Sequence, residues 1–380
     1  MSFAGKKTVW ILGAGFSRSL GGPLLYDLLS LKGQREAEAR FGSKHRQATE
    51  IVYGVYQDGL NENLGLWAHA EEFLEVVDLA TEPSEAEDHR SATGRLLLGM
   101  ITRRTQSVNI REFRARTLIA IAAECSFDRW SDPRSEAWSP YLEWGKLLTK
   151  EDSVITFNYD TVLERLSTHL DEIHKGDGLI SDQSFMLPPG YWPGHEATAV
   201  FKMHGSLRWG SSTRGSTAHP YTFDGHWDDH TEKGDFEPLI GMPGSSKSLL
   251  RKKHFDNIWG QAMRRIKEEA DVIVFFGYRF PPSDAQSRSE ILAAIKRNTA
   301  NYLRIHIVLG PDVNHPDTVR LAKMLEVTLR GAGRVPIGEV PHTSSALPKP
   351  KHYAILRQPL YVQDFMTILD ENFMNTMLTP

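Results

Sequence analysis

The chain has a single cysteine, Cys125, among 380 residues. That scarcity excludes an intrachain disulfide and a cysteine-built zinc ribbon. A dominant charge is also missing: 44 Lys and Arg face 48 Asp and Glu, a formal net of −4. So even a balance provides no global attraction to nucleic acid or to an anionic membrane surface. No apolar run approaches the ~18 residues that a membrane span needs. Only a brief apolar run follows Lys6 and Lys7, which is not a secretory leader, and a cytoplasmic location is expected. There is no internal repeat and no low-complexity segment. The basic clusters at 251–254 and 264–265 read as solvated helix surface.

What the sequence does contain begins at residue 8. Residues 9–12 are a short apolar run rich in β-branched and aromatic types, the signature of a buried strand. Gly13-Ala14-Gly15 follows at once. Glycines there permit a tight turn and allow amide N–H groups to approach a diphosphate. Residues 24–30 then read as the start of a helix. Strand, glycine turn and helix make the opening of a dinucleotide-binding α/β domain; taken alone, they equally describe an ordinary strand-to-helix turn.

From about 31 to 150 the pattern turns helical, with apolar residues at helical spacing over 70–77, 90–105, 111–127 and 141–148. This stretch reads as a helical insertion after the first strand, acting as a lid, an oligomerisation surface or plain scaffold. Cys125 lies in its apolar run as a core filler. Strands resume at 153–157, 199–203, 271–276 and 303–309, with a further candidate at 238–242. Helices are expected at 161–169, 255–270, 287–298 and 316–330. Residues 171–198 and 210–237 read as loops. The expected fold is α/β: a Rossmann-like parallel sheet with helices on both faces, a large helical insertion and no zinc ribbon. Residues 1–30 and 151–330 would form its core, 31–150 the insertion, and 331–380 a proline-rich connector plus a packing or oligomerisation helix at 361–374.

Several motifs follow the apolar strands: Gly13-Ala14-Gly15-Phe16-Ser17, Asn158-Tyr159-Asp160, His204-Gly205-Ser206, Gly277-Tyr278-Arg279-Phe280-Pro281-Pro282 and a weaker Gly310-Pro311-Asp312. A parallel sheet brings such strand ends to one rim. A histidine with an ordinary pKa near ~6.5 suits proton removal from water or a hydroxyl. Asn158 can hydrogen-bond a sugar and orient a water, or simply serve a turn. Asp160 fits either ligand contact or the cap of the helix behind it. Arg18 adds charge near the loop or sits on an exposed helix. His219, Asp224, His226, Asp228, Asp229 and His230 include ligand-type residues, and His226 and His230 stand at a zinc-like i, i+4 spacing. The glycines and aspartates around them speak against a stable helix, and a solvated loop or lid is the reading adopted, with no metal expected.

At this point the sequence resembles the sirtuin family. Gly13, Ala14, Gly15, Ser17, Gly21 and Pro23 match its Gly-Ala-Gly-x-Ser-x-x-x-Gly-x-Pro loop. Asn158 and Asp160 match its Asn-x-Asp motif, and His204-Gly205 its catalytic His-Gly. The zinc-binding cysteines of sirtuin deacylases are missing, Leu24-Leu25-Tyr26 replaces the family's Asp-Phe-Arg, and Gly277-Tyr278-Arg279 replaces Gly-Thr-Ser. These forms look more like the sirtuin-like domains of bacterial antiphage systems, most like the short proteins paired with a HerA-type ATPase. The resemblance implies an NAD+ glycohydrolase releasing nicotinamide and ADP-ribose, an effector of abortive infection. It implies catalytic roles for Asn158, His204 and Asp160. NAD+, as substrate, would be contacted by Gly13, Ala14, Gly15, Ser17, Pro23, Gly277, Tyr278 and Asp312. A homo-oligomer and a hexameric HerA-type ATPase partner are expected, because only residues 331–380 follow the core; membrane and direct nucleic-acid binding are not expected. The alternatives are a non-catalytic NAD- or ADP-ribose-binding regulatory module, and an NAD-dependent deacylase or ADP-ribosyltransferase.

Overall fold

The computed structural model describes residues 6–60, 65–81, 92–174, 185, 197–212, 220–222, 236–242, 255–281, 284–339 and 350–369. The strands described there are, in chain order, β1 (Thr8–Leu12), β2 (Ser153–Thr156), β3 (Ala199–Lys202), β4 (Gly205–Ser212), β5 (Pro220–Thr222), β6 (Phe236–Ile240), β7 (Val272–Phe276), β8 (Tyr302–Val308), β9 (Val335–Pro336) and β10 (His352–Gln358). One sheet runs β3-β2-β1-β7-β8-β10-β9, and a small one β5-β4-β6. Every pairing in the larger sheet is parallel, whereas the small sheet is antiparallel. The chain starts in the centre, builds outward through β2 and β3, then returns to the other side of β1. This reversal between β2 and β7 is a topological switch point, where a crevice opens at the strands' carboxyl ends.

The helices described are α1 (Ala14–Ser17), α2 (Leu31–Leu60), α3 (Ala70–Thr81), α4 (Ala92–Arg104), α5 (Ile110–Cys125), α6 (Ser139–Leu147), α7 (Val162–His174), α8 (Asp256–Arg264), α9 (Ala285–Lys296), α10 (Pro316–Arg330) and α11 (Val362–Thr367). Successive residues of a strand point to opposite faces, and β1 divides accordingly. Val9 and Ile11 join a core with Ile258, Ile291 and Leu321 of α8, α9 and α10. Trp10 and Leu12 join another with Trp144, Leu166 and Phe365 of α6, α7 and α11. Both faces of the sheet are therefore covered, which is why β1, β2 and β7 are buried along their whole length. A third core lies inside the insertion, where α2 to α5 pack with Leu207 and Ile240 of the small sheet. Asn109 caps α5 by accepting from the Arg111 and Glu112 N–H groups.

The structure differs from the sequence reading in several places. No α-helix starts at residue 24: Leu25–Asp27 is one 3-10 turn, and Leu29 has φ +58°, a left-handed conformation that a right-handed helix cannot contain. Helix α2 lies in the stretch expected to be helical, but no individual helix was placed there; Gly42, at φ 76°, kinks it and breaks its periodicity. Strand β4 was not placed: its end at 210–212 runs into the polar stretch read as loop, and only Leu207 and Trp209 among its first residues are large and apolar. Residues 331–380 are more than connector and helix, since β10 pairs with β8 inside the main sheet. Its half-exposed residues give it no continuous apolar run. In the expected C-terminal helix, residues 370–374 lie outside the described residues, as do 340–349 of the connector.

The turns after β1 and β7 meet backbone to backbone. A Cβ on Gly13 would lie 2.7 Å from the Gly277 carbonyl oxygen, and one on Gly15 2.8 Å from the Gly277 Cα. Gly277 itself has φ +71°, and its own Cβ would stand 2.6 Å from the Gly15 Cα. Gly277→Ala is expected to cost about 2–4 kcal/mol from left-handed strain plus overpacking. A urea titration followed by circular dichroism checks this; an unchanged midpoint would contradict the contact.

Candidate functional site

A cavity of about 600 Å³ opens at the carboxyl ends of β1, β2 and β7. Gly13, Ala14, Gly15, Ser17, Pro23, Asn158, Asp160, His204, Gly277 and Tyr278 all line it. Asp312 does not. It is exposed on the turn before α10, where its carboxylate accepts the Asn314 N–H at 2.9 Å. The charged groups lining the cavity on that side are Arg279, Asp317 and Arg320. The Arg279 guanidinium stands 3.4 Å from Asp317 and donates to the Leu309 carbonyl at 3.1 Å. Arg279 belongs to a strand-end motif already singled out in the sequence, whereas Asp317 and Arg320 were missed because they lie on a helix, away from that motif.

The glycine turn works differently from the expectation. The Gly13 N–H donates to the Phe276 carbonyl at 3.1 Å and the Gly15 N–H to the Gly277 carbonyl at 3.3 Å. Both amides are thus spent on the β7 turn instead of remaining for a diphosphate. The two glycines are required because backbone approaches backbone there, which leaves Ala14 on the cavity wall.

Asn158, half-buried after β2, donates from Nδ2 to the Gly13 carbonyl at 3.1 Å and to Ser17 Oγ at 3.2 Å. Its amide orientation is therefore fixed, and its carbonyl oxygen is the end left for a ligand. Ser17 Oγ donates to Asp160 Oδ2 at 2.8 Å, so its single proton is already committed. Asp160 Oδ1 accepts the Val162 N–H at 3.2 Å at the start of α7. Both Asp160 oxygens are engaged inside the protein, which makes the capping role the one visible in the structure. Behind them Lys202 Nζ donates to the Asp160 carbonyl at 2.6 Å and to Glu164 at 2.7 Å, and Ser206 donates to Glu164 at 3.0 Å. Lys202 and Glu164 are both buried. A buried pair of this kind adds little net stability, yet removing either partner is costly because an unpaired charge remains.

His204 enters on the β3–β4 turn, where Gly205 has φ +92° and a Cβ would collide with the Leu239 carbonyl oxygen at 2.0 Å. The imidazole packs edge-on against Phe157, with ring centroids 4.9 Å apart. Phe157 in turn stacks on Tyr278 at 4.1 Å. His204 Nε2 faces Asp284 Oδ1 at 3.7 Å, and the Tyr278 hydroxyl donates to Asp284 Oδ2 at 3.1 Å. Burial, then the Asp284 charge, pushes the Tyr278 hydroxyl far above its ordinary value, so it remains a donor. Asp284 was not anticipated. It occupies the N-cap position of α9, where an aspartate is unremarkable, but it makes no side-chain capping bond. It lines the cavity and turns to the histidine and tyrosine instead.

The insertion supplies another wall through His69, Glu71 and Cys125. Burial pushes the Cys125 thiol well up, which disfavours the thiolate. Among the described residues no group of three or more His, Cys, Asp or Glu is arranged to hold a metal ion. The ligand-type residues His219, Asp224, His226, Asp228, Asp229 and His230 lie outside the described residues, as do Pro282 and the basic cluster at 251–254. Among the described residues no helix is long and apolar enough to cross a membrane.

No protein-family model matches the sequence, and no curated protein matches it. Among solved structures the chain is similar to a Sir2 homolog in complex with NAD, at 13% identity over 87% of this chain and 93% of that one, with a TM-score of 0.39. It is similar to a Sir2 in complex with an inhibitor, 2'-O-acetyl-ADP-ribose and a deacetylated peptide, at 13% identity over 97% and 94%, TM-score 0.35.

Asp128 stands behind the cavity wall, fully buried, and accepts the Thr161 hydroxyl at 2.6 Å. Burial first, and then the Asp160 charge, raises its carboxyl to about 7. The folded state thus holds this proton more tightly than the unfolded state. The resulting stabilisation is complete below about pH 4 and is lost as pH rises through about 7. Asp128→Asn is expected to remove this dependence. Relative to wild type, the variant gains about 4 kcal/mol between pH 4 and pH 8. Urea midpoints at the two pH values measure it, and a parallel shift of both proteins would contradict the assignment.

Proposed function

We propose that the chain is an NAD+ glycohydrolase and that the cavity at the switch point is its active site. The observation that carries this reading is the convergence of Asn158 and His204 on one cavity beside the glycine turn. The bond broken is the one between ribose C1′ and the nicotinamide nitrogen. A neutral pyridine leaves, so the site needs no acid for the leaving group. It must hold the ribose, tolerate positive charge developing on the sugar and guide a water. The Asn158 carbonyl oxygen, fixed through Gly13 and Ser17, is suited to a ribose hydroxyl or the water. His204 accepts the proton as the water attacks C1′, and the Asp284 carboxylate facing it stabilises the imidazolium that results. NAD+ and water give nicotinamide, ADP-ribose and one proton. Gly13, Ala14, Gly15, Ser17, Pro23, Gly277 and Tyr278 form the walls against which the cofactor lies, and Asp160 braces Ser17.

We further propose that this activity depletes NAD+ in antiphage defence, in a homo-oligomer controlled by a HerA-type ATPase. The motif resemblance in residues 13–23, 158–160 and 204–205 supports that role.

The test is nicotinamide release from NAD+ by the purified protein, alone and together with such an ATPase. Turnover is expected, with Asn158→Ala and His204→Ala each lowering it about 100-fold or more. Absence of turnover in every condition, or full activity in both variants, would overturn the proposal.

A further inference from the structure

One wall of the cavity consists of Pro23, Leu24, Leu25, Tyr26 and Leu28. It has little regular structure of its own beyond the turn Leu25–Asp27. It ends at Leu29, a fully buried leucine held at φ +58°. A non-glycine residue stays in that region only when its surroundings over-determine it. The determinant here is Glu124, at the end of α5. The Leu29 N–H donates to both Glu124 oxygens, at 3.1 and 3.2 Å. Tyr53 of α2 donates its hydroxyl to Glu124 Oε1 at 2.9 Å, and Gln57 of the same helix donates to the Leu29 carbonyl at 3.4 Å. Room for the carboxylate depends on Gly33, where a Cβ would lie 2.4 Å from Glu124 Oε2. Glu124 is itself buried, and its sequence neighbour Cys125 lines the cavity. Burial raises its carboxyl to about 8, against the Tyr53 and Leu29 hydrogen bonds and the Arg40 charge, which lower it, and with the Glu36 charge, which raises it.

We propose that Glu124 is a positioning residue of this cleft: through Leu29 it clamps the 23–29 wall to the helical insertion and so sets the affinity for the dinucleotide. The proposal rests on the reading of the cavity as an NAD+ site. The insertion is then a working part of the cleft. A wall released from Glu124 spends part of its time out of the binding position, and apparent affinity falls by that fraction. The chemistry at Asn158 and His204 is untouched, because neither contacts Glu124.

The experiment compares Glu124→Ala, Glu124→Gln and Tyr53→Phe in the full-length protein. Hydrogen exchange of the 21–30 peptide is read without ligand, and KM and kcat for NAD+ with it. In Glu124→Ala the 21–30 amides exchange about tenfold faster and KM rises about tenfold, the factor set by losing one buried hydrogen bond; kcat stays within about twofold. Glu124→Gln retains a carbonyl acceptor for the Leu29 N–H and restores both. Tyr53→Phe, which leaves that bond in place, gives a smaller change in the same direction and serves if Glu124→Ala does not fold. Unchanged exchange in folded Glu124→Ala, or a fall in kcat at constant KM, overturns the clamp. Faster exchange in Glu124→Ala, when the wild type shows no turnover, upholds the clamp and removes the hydrolase reading instead.

Discussion

The turn after β1 and the turn after β7 touch through their backbones, and the cleft depends on that contact. Two parallel strands with side chains at this point could not bring their carboxyl ends so close; Gly13, Gly15 and Gly277 remove the obstacle. The Gly13 and Gly15 amides then bond to the β7 turn, locking the two loops together. With β2 on the other side of β1, the crevice opens between loops that are already fixed. Such a site has little left to organise when a ligand arrives, which is where a catalytic constellation gains most.

A chain of polar contacts carries this rigidity inward. It runs from the Gly13 carbonyl to Asn158, through Ser17 to Asp160, and by the Asp160 carbonyl to Lys202, Glu164 and Ser206. Each group spends its bonding capacity on the next. Ser17 and Asp160 thereby become supports, and the Asn158 carbonyl oxygen becomes the part turned to a ligand. A second assembly approaches from the far side, where Phe157, Tyr278 and Asp284 surround His204 by packing and charge. The two meet in one cavity although β2, β3 and β7 are distant in sequence. The insertion closes the remaining side, with its own core and its own tether to the cleft.

The alternation of fully buried strands with amphipathic helices was legible in the sequence, because a sheet covered on both faces demands continuous apolar runs. So was the gathering of Gly13, Ser17, Pro23, Asn158 and His204, since they follow such runs. What escaped lacked that signature. The half-exposed β10 fell in the stretch read as connector, β4 ran into the stretch read as loop, and the kink at Gly42 disguised a long helix. Asp284 looks like any helix cap until its side chain is seen turning away from the helix. Asp312 looks like a strand-end ligand until its carboxylate is seen in a turn of its own. The glycine motif was read for a phosphate alone; its contact with the backbone of Gly277 has no signature in the sequence, because the two turns are far apart in the chain.

In the proposed reaction Asn158 and His204 face the nicotinamide ribose of NAD+ within the switch-point cavity. Crystals of the His204→Ala protein grown with NAD+ would test it most directly. Intact NAD+ is expected in the cavity, its nicotinamide ribose within hydrogen-bonding distance of Asn158 and its diphosphate beside Ala14. A dinucleotide bound elsewhere, or lying in the cavity with its adenine end against Asn158, would contradict it.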